Sequence, residues 1–500
     1  MNPLDKVIAW FSPRAGLERV SARNMLEGTR DYAAAGIGRR NKAWRGRGTS
    51  ASTEVGAAMG IVRDRAREFV RNGWAGQRIL DVMVSHTIGT GIMTVPDTGN
   101  DRADREYRLA REAWSQSSDI EGVLDEGGQQ ALAVRSMIEG GDCVVRHVVV
   151  PMNESPGVVP FRLQVLEADS IDTARDSVYR RNDEDGLVRL GVSMGDWGQR
   201  RGLYLHPQHP GDQGVVNIEA SKLVAWDDLC HLYRPLRAGQ IRGISWFAPV
   251  LLSGHEVGQL MEAAIVQQRT QASFAGFIKR QPGGNMTLAS KDDASTGQKI
   301  TEIRPGQIQD IGDADIVFAN PSSTSAFGEA YMAGLMAMAA GAGLTYDQLT
   351  GDLRQANYSS LRAGKIEFRR LIEQIQWHVI VPMFCRRVDR RFEEMALMSG
   401  LLRNRRGGYR VSHVMPAVEP IDPKKDLEAD ILAVRSGRMS PQEFISGWGR
   451  DWRKVVKDFD AFFKFCDANG LQDLMFDLDP RRPQSGPVPA PQTGESDNNV

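Results

Sequence analysis

A long stretch without proline, followed by a turn-rich segment and a second helical stretch, constrains the fold of this chain more than any other feature. After Pro249, apolar residues recur at helical spacing and about thirty residues pass before the next proline. A helix over residues 245–278 would reach roughly 45 Å at 1.5 Å per residue. Residues 279–322 are rich in Gly and Pro, and residues 323–342 become helical again. The pattern predicts two long helices joined through a compact insert of loops and strands.

The rest of the C-terminal half is also helical in pattern. Residues 343–360 contain a short polar segment flanked by glycines, which predicts a mobile loop between two helices. A third helix from about Ser360 to Glu394 should be interrupted or bent near Pro382, because proline removes a backbone N–H.

Two segments follow near the C-terminus. Residues 422–470 predict two or three shorter helices, and Ser440-Pro441-Gln442-Glu443 is typical of a helix N-terminus. Residues 480–500 contain five prolines and almost no apolar bulk, so we expect a disordered tail.

The N-terminal half changes from helical to strand-like patterning. Val55 to Val84 predicts two helices with a break at Asn72-Gly73, and another helical run covers about 103–139. The predicted strands are Cys143–Val150, Phe161–Leu166, Leu187–Val192 and Leu203–Leu205, with more within Val215–Trp226 and Leu229–Tyr233. We interpret them as one small antiparallel sheet. The predicted fold class is therefore α+β, mainly helical.

Composition excludes several classes of protein. Sixty-two Lys plus Arg nearly cancel 63 Asp plus Glu, which argues against a protein that coats nucleic acid through bulk positive charge. The four cysteines are far apart and form no Cys-x-x-Cys pair, so we expect reduced structural thiols. The apolar patch Val7 to Phe11 is too short for a signal peptide or a membrane span. We expect assembly in the cytoplasm.

Catalytic motifs are incomplete throughout the sequence. Gly191-Val-Ser193-Met-Gly195 matches a nucleophile elbow, but the residues that follow are a poor helix start, so a turn between strands is the preferred interpretation. His255-Glu256 lacks a second histidine because Gln259 stands there, and no phosphate-binding loop occurs. We expect no catalytic residue, no metal site and no cofactor.

One basic stripe has two interpretations. Arg362, Lys365 and Arg369 share a helix face at spacings of three and four. The stripe could meet DNA phosphates or an acidic neighbouring subunit. The preferred interpretation is a solvated face paired with Glu367 and Glu373.

Two signatures carry the most specific information. One runs from His231-Leu-Tyr-Arg234-Pro235 through Gly243 to Pro249, and the other is Asn357-Tyr358-Ser359-Ser360. Further pieces are Arg63-x-Arg65-x-Arg67, Val70 to Gly73, Gly89-Thr90-Gly91, Glu167-Ala168-Asp169, Tyr204, His209-Pro210 and Asp422 to Lys425. In order and spacing they resemble the lambda-type portal proteins of tailed bacteriophages, over residues from about 32 to 451. The family often carries a Trp shortly before the Asp-Pro-x-Lys element. This chain has the element but lacks that Trp.

The resemblance implies a virion protein that forms a homo-oligomeric ring, a dodecamer, at the portal vertex of the capsid. The ring would conduct DNA during packaging and ejection. Expected partners are double-stranded DNA, terminase, head-completion or connector proteins, and the major capsid protein or scaffold, with no membrane. Thr345, Tyr346, Asp347, Gln348 and Thr350 would line the DNA channel.

The resemblance also implies a division of the chain into named regions. These are a basic N-terminal arm (1–54), a wing body (55–244), a stem helix (245–278), a clip (279–322), a second stem helix (323–342), a tunnel loop (343–360), a wing helix with its following segment (361–424), a crown (425–479) and a disordered tail (480–500). The alternatives are a head maturation enzyme, such as a protease or other hydrolase, and another head-tail adaptor ring protein. Incomplete catalytic motifs disfavour the first, and the length of the chain disfavours the second.

Overall fold

The structure is a computed structural model of the 500-residue chain. It describes residues 48–176, 187–212, 219–273, 327–354, 358–418 and 422–470, with short pieces within 10–19 and 277–317. The predicted tail 480–500, most of the arm and most of the insert lie outside the described residues. The described elements mix helix and sheet, which confirms the predicted class at that level.

The main helices are α1 (Ala51–Asn72), α2 (Trp74–Thr87), α3 (Asp101–Ser115), α4 (Glu126–Gly140), α5 (Leu251–Ser273), α6 (Phe327–Ala342), α7 (Tyr346–Thr350), α8 (Tyr358–Ile375), α9 (Arg386–Met398), α10 (Pro423–Arg435), α11 (Pro441–Gly447) and α12 (Trp452–Ala468). The strands are β1 (Met93–Pro96), β2 (Asp142–Val149), β3 (Phe161–Glu167), β4 (Leu187–Arg189), β5 (Val192–Met194), β6 (Arg200–Leu205), β7 (Lys222–Ala225), β8 (Leu229–Tyr233), β9 (Phe277–Lys279), β10 (Lys291–Asp292), β11 (Lys299–Ile300), β12 (Asp315–Val317) and β13 (Val411–Val414).

The chain divides into two compact units. One comprises residues 1–54 with 237–239, and the other comprises residues 55–236 with 240–500. Within the smaller unit, Arg237 pairs with Glu54 at 2.6 Å and donates to the carbonyl oxygen of Thr49 at 3.2 Å. These contacts hold 237–239 to the residues around the start of α1.

The first two helices form where the sequence predicts them. The break falls at Gly73, where a Cβ atom would lie 2.6 Å from the carbonyl oxygen of Phe69. By contrast, the single run predicted over 103–139 is wrong, because it is two helices. The carboxylate of Asp119 accepts backbone N–H groups of Glu121, Val123 and Leu124, and thereby stabilises the loop between α3 and α4.

Two antiparallel sheets replace the one predicted. The first has the order β3-β2-β8, and the second has the order β4-β5-β6-β7. The run Leu187–Val192, predicted as one strand, is a hairpin that turns at Leu190 and Gly191, both with positive φ. Strand β2 is buried on both faces, since Val145 belongs to the main core and Val144 to a second core with residues of β5, β6 and β8. A strand with two apolar faces needs a layer on each side, which a single sheet cannot supply.

The helix before the insert begins later than predicted. Residues 246–250 form turns, and α5 begins at Leu251 after Pro249. Strand β9 pairs antiparallel with β12, and β10 pairs with β11, so the described pieces of the insert are strands. Phe277 and Ile278 belong to β9, although the sequence predicted the end of a helix there. The chain returns through α6.

Of the interruption or bend predicted near Pro382, the structure shows the interruption of the α-helix. Residues Gln376–Cys385 are π-helical and join α8 to α9 without a break. A proline cannot donate the backbone hydrogen bond of a regular α-helix, and the wider π-turn accommodates that loss.

Three short helices follow, as the sequence predicts. Ser440 accepts the N–H of Glu443 and Glu443 returns the contact to the N–H of Ser440, with Pro441 at the first helical position. Asp422 caps α10 in a similar way. Among the described residues, no helix is long and apolar enough to cross a membrane.

Candidate functional site

The His231–Pro249 signature builds a buried polar centre around Asp142. Helix α4 ends at Gly140, Gly141 adopts a φ of 92°, and Asp142 opens β2 with a side chain that is 2% exposed. The Nε–H of Arg242 and the backbone N–H of Gly243 both donate to this carboxylate. The chain around Gly243 therefore docks directly on the start of β2.

Glycine is required at position 243 by close approach of two backbone segments. A Cβ atom there would collide with the carbonyl oxygen of Gly141 and with the carboxylate of Asp142. Arg242 extends past them to donate to the carbonyl oxygens of Leu190 at 3.0 Å and Ala168 at 3.3 Å. One guanidinium thus ties the β4–β5 turn and the end of β3 to the segment that leads into α5.

His231 completes the centre from β8. Its Nε2 lies 3.6 Å from Oδ2 of Asp142, and its Nδ1 lies 2.7 Å from Nη1 of Arg200. Since Arg200 donates only, Nδ1 accepts, and the proton of the neutral ring is on Nε2, facing Asp142. Burial lowers the pKa of His231 to about 4. Burial would raise the pKa of Asp142, but Arg242 and His231 outweigh it and hold that pKa below its ordinary value.

The other signature residues have separate places. The guanidinium of Arg234 lies 5.0 Å from the ring of Trp246, while Pro235 and Pro249 are exposed. Asn357 lies outside the described residues, as do the side chains of Tyr358, Ser359 and Ser360. The structure therefore brings His231 and Gly243 together and leaves the grouping of the second signature untested.

The polar segment 345–350 is a short helix, so the loop predicted there is wrong for these residues. The side chain of Gln348 is buried and accepts the N–H of Thr345 at 3.0 Å, which caps α7. Arg78 of α2 donates to the carbonyl oxygen of Gln348 at 2.9 Å. Thr345, Tyr346, Asp347 and Thr350 are half-buried. Gln348 is therefore not available to a ligand in this conformation.

A charged pair follows α7, with Arg354 exposed and Asp352 half-buried. Arg354 donates two hydrogen bonds to Asp352, at 2.9 and 2.8 Å, and thereby lowers the pKa of Asp352 to about 2. Gly351, between them and α7, has a φ of 70° and closes the helix.

The basic stripe divides between two environments. Arg362 lies 3.4 Å from Asp426 of α10, and burial lowers the pKa of Arg369, which Asp426 partly offsets. Lys365 is exposed. Two of the three cations thus face an acid of the same chain.

Comparisons with known proteins agree with the resemblance that these signatures show to portal proteins. Residues 37–376 match the profile of the phage portal protein, lambda family. The chain belongs to that family. It is 25% identical over 462 residues to the probable portal protein of Halomonas phage phiHAP-1, and the match covers 87% of each chain.

Solved structures similar to the portal chain come from gene transfer agent (GTA) particles. The virion of the native GTA particle contains a chain that is 15% identical, with a TM-score of 0.43, and the match covers 82% of the portal chain and 96% of that one. The neck of the native GTA particle computed with C12 symmetry contains one that is 16% identical, with a TM-score of 0.40, covering 82% and 97%.

The catalytic candidates of the portal chain lie in structural positions. Ser193 is fully buried within β5, not on a strand-turn-helix corner. His255 is exposed on α5, where its Nε2 lies 3.0 Å from the side-chain nitrogen of Gln259. Portal proteins of this family are structural components of the virion.

A group of acids and a histidine occurs at the end of β3. Glu167, Asp169 and His209 are near enough to one another to share a cation. However, Arg67 donates to both carboxylates and Arg63 reaches Asp169 at 3.1 Å. Two of the three arginines of the Arg-x-Arg-x-Arg element, Arg63 and Arg67, therefore already neutralise these acids.

A second buried network escaped the sequence analysis. The carboxylate of Asp389, on α9, lies 3.1 Å from the guanidinium of Arg111 of α3 and 2.8 Å from Nε2 of His413 of β13. It also accepts a hydrogen bond of 2.9 Å from the hydroxyl of Thr94 of β1. Arg111 also pairs with Glu126. These residues come from five elements far apart in sequence, and no local spacing signals that they meet.

Proposed function

We propose that this portal protein assembles head to tail into a closed ring at the capsid vertex, and that DNA passes through the ring during packaging and ejection. A ring of twelve copies, assembled in the host cytoplasm, follows the family expectation. The observation that carries the proposal is the exposed apolar surface of the helical hairpin α5–α6.

Helix α5 exposes large apolar side chains along most of its length. The exposed fractions are 74% for Leu252, 38% for Leu260, 40% for Met261, 38% for Ile265 and 52% for Val266. Met261 and Ile265, four residues apart, lie on one face of the helix, and exposed apolar surface of this kind marks an interaction site in soluble proteins. In a closed ring, each copy offers one surface to the preceding copy and a different one to the next. The exposed sides of a hairpin are suited to that arrangement.

The hairpin itself is held together by close contact on one side. A Cβ atom at Gly334 would lie 2.6 Å from Cγ2 of Val257, and one at Gly341 would lie 2.7 Å from Cγ1 of Val250. The small residues of α6 thus let the two helices approach closely. Met336 on α6 remains 48% exposed. In the proposed ring, the exposed faces of α5 and α6 contact other subunits.

This arrangement supports the regional assignments as proposals. Helices α5 and α6 are the two stem helices, and the strand insert 279–322 is the clip, where terminase docks during packaging and connector proteins dock afterwards. Residues 55–244 and 361–424 form the wing, 425–479 the crown and 343–360 the tunnel segment. The arm 1–54 and tail 480–500 flank them.

A conduit needs weak contact with DNA. The chain has a formal net charge of -1, and a densely cationic lining would bind phosphates in a tight and salt-dependent manner. Tyr346 and Asp347 of α7 can meet a moving duplex without holding it. Lys365 is the exposed cation of the basic stripe and the proposed point of contact with DNA or a neighbouring subunit.

Native mass spectrometry and negative-stain microscopy test the proposal together. We expect closed rings with an axial hole. Met261→Asp and Ile265→Asp should each shift the purified protein toward smaller species, because a charge on this face must lose its water when a neighbour covers it. Glu262→Gln, on the same helix, is the matched control and should leave rings intact. A wild-type protein that stays monomeric at all concentrations, or rings unaffected by both aspartates, would contradict the proposal.

A further inference from the structure

Helix α12 is anchored at its first turn and carries an exposed apolar stripe beyond it. Asp451, its N-cap residue, pairs with Arg108 at 3.2 Å, and Arg453 pairs with Asp97 at 2.7 Å. Farther along the helix, four apolar side chains at spacings of three and four are between 39% and 51% exposed: Val456, Phe459, Phe462 and Phe463. This spacing places them on one helix face. We call this face the aromatic stripe, and such a face marks an interaction site.

The end of α12 directs the chain towards this stripe. Asn469 is the C-cap, and Gly470 follows with a φ of 68°. The N–H of Gly470 donates to the carbonyl oxygen of Asp467 at 3.3 Å, which is one of the two hydrogen bonds of a Schellman motif. In that motif, the residue after the left-handed glycine makes an apolar contact five residues back. The motif therefore favours contact of Leu471 with Cys466, which lies on the same helix face as the aromatic stripe.

Residues 471–479 follow the described end of this region and have the sequence pattern of a short amphipathic helix. Four apolar residues share one face at helical spacing: Leu471, Leu474, Met475 and Leu478. Asp473 and Asp477 fall on the opposite face, and Pro480 marks the end of the pattern. A helix of nine residues is not stable alone in water. It needs an apolar surface on which to form.

The length of this segment agrees with the length of the uncovered surface. Nine helical residues span roughly 13 Å at 1.5 Å per residue. If they return antiparallel from Gly470, they lie beside the last nine residues of α12, which include Phe462, Phe463 and Cys466. Two antiparallel helices joined by a connection of a few residues are a common hairpin.

The covalent connection favours this segment over a separate chain as the occupant of the stripe. Asn469 and Gly470 hold the segment next to α12, so docking is intramolecular. A short connection gives an effective concentration in the millimolar range. A second copy or another protein has to bind in competition with it.

We propose that residues 471–479 form a helix that packs antiparallel on the aromatic stripe of α12 in the same chain. The apolar face of the segment covers the stripe, and Asp473 and Asp477 face water. This inference goes beyond the proposed ring, because the contact lies within one chain. Its consequence is that the stripe is closed to neighbouring copies, so α5 and α6 supply the apolar surface for subunit contacts.

Native Cys466 makes the contact testable, because it is half-buried whereas the other three cysteines are buried. Leu474→Cys, Met475→Cys and Asp473→Cys are installed one at a time in the full chain, and each protein is oxidised mildly. A docked helix places positions 474 and 475 on the side of Cys466 and position 473 on the other side. Disulfides form only where Cα atoms lie within about 7 Å. Position 473 is the nearest to Cys466 in sequence, so an unstructured segment would cross-link through it at least as readily.

Peptide mass mapping and a non-reducing denaturing gel locate the disulfides. We expect a disulfide to Cys466 within one chain for Leu474→Cys or Met475→Cys, in several-fold higher yield than for Asp473→Cys. Equal yields in the three variants would overturn the inference. Disulfide-linked dimers in place of the intrachain product would assign the stripe to another copy and overturn it as well.

The alkylation rate of Cys466 by iodoacetamide tests the contact without an added thiol. Leu474→Ala should raise this rate by roughly tenfold or more, because loss of a buried leucine side chain weakens docking. Asp477→Ala, on the opposite face of the segment, is the matched control and should keep the parental rate. A parental rate in Leu474→Ala would overturn the inference. Native mass spectrometry of the same samples reports on rings separately, so protein that forms the intrachain disulfide without forming rings contradicts the proposed function alone.

Discussion

Arg242 and Asp142 form an ion pair whose side chains are 0% and 2% exposed, across one hundred residues of sequence. The pair joins the first residue of β2 to the segment that leads into α5. Removing one partner of a buried pair leaves the other charge without compensation, which destabilises proteins by roughly 3–5 kcal/mol. We expect Arg242→Met to lower the free energy of unfolding by that amount in urea titrations. Arg354→Met is the control, because the side chain of Arg354 is 87% exposed. Equal effects of the two substitutions would contradict the role given to Asp142.

The pH dependence of stability should follow His231. Its pKa of about 4 lies below the ordinary value of about 6.5, so the unfolded chain takes up a proton that the folded chain does not. Stability should therefore fall as pH is lowered from 6.5 to 4, by roughly 3 kcal/mol from this group, and not fall further on its account below pH 4. His147 acts in the same direction, since burial together with Arg387 and Arg391 lowers its pKa to about 3.

His231→Gln should accordingly reduce the slope of stability against pH in this window without removing it. Urea midpoints at pH 7, 5.5 and 4.5 measure the slope. His255→Gln, at an exposed position of α5, is the control variant. A parental slope in His231→Gln would show that this histidine is not the titrating group.

Two glycine substitutions should change the stability of the protein in opposite directions. Gly243→Ala places a methyl group against the carbonyl oxygen of Gly141, and overpacking of this kind costs roughly 1–3 kcal/mol. Gly258→Ala meets open space on the helix α5 and should stabilise the protein by about 0.5–1 kcal/mol. Thermal unfolding of both variants measures the difference. A tolerated alanine at 243 would mean that the two backbone segments are further apart than described.

Replacement of the insert should separate docking from assembly. A variant with residues 280–314 replaced by a short Gly/Ser linker keeps the pairing of β9 with β12. We expect intact rings by microscopy and loss of terminase binding in a pull-down. Terminase that binds this variant as well as it binds the parent would place docking elsewhere.

The tunnel segment should respond to charge at Asp347. Asp347→Lys adds a cation to a half-buried position of α7 and should leave rings intact while making DNA packaging slower and more dependent on salt. Gln348→Ala is a different test, since it removes the acceptor for the N–H of Thr345 and should cost about 0.5–2 kcal/mol of stability. Packaging that is unchanged by Asp347→Lys, with intact rings, would remove α7 from the channel wall.

Local patterns predicted many elements of this fold. The features that they missed depend on contacts between residues far apart in sequence. The break at Gly73, the N-terminus at Ser440 and the irregularity at Pro382 each depend on one residue and its immediate neighbours. The buried centre depends on Asp142, which is the first residue of β2 and has no partner nearby in sequence. Its importance follows from Arg242 and His231, which approach only after the sheets form.

The same distinction applies to the proposed tunnel segment. Polar residues between glycines predicted a loop, yet Gln348 uses its side chain to cap a helix and Leu349 is 1% exposed. The cap could be suspected from Thr345 and Gln348 at a spacing of three. The burial of Gln348 and Leu349 could not be predicted from local spacing, because it depends on α2. Arg78 of that helix lies 270 residues before Gln348.

The pairing of β9 with β12 has a consequence for the divergence of such chains. Ile278 stands opposite Ile316, so the two ends of the segment between these strands are held side by side. A segment anchored in this way can lengthen or shorten at the expense of loop-closure entropy alone, about 0.6 kcal/mol for each doubling of its length. Substitutions, insertions and whole-segment exchange can therefore accumulate between residues 280 and 314 while the hairpin and the buried centre keep their sequence. Related phages could alter the surface they present to a changing partner without rebuilding the body that carries it.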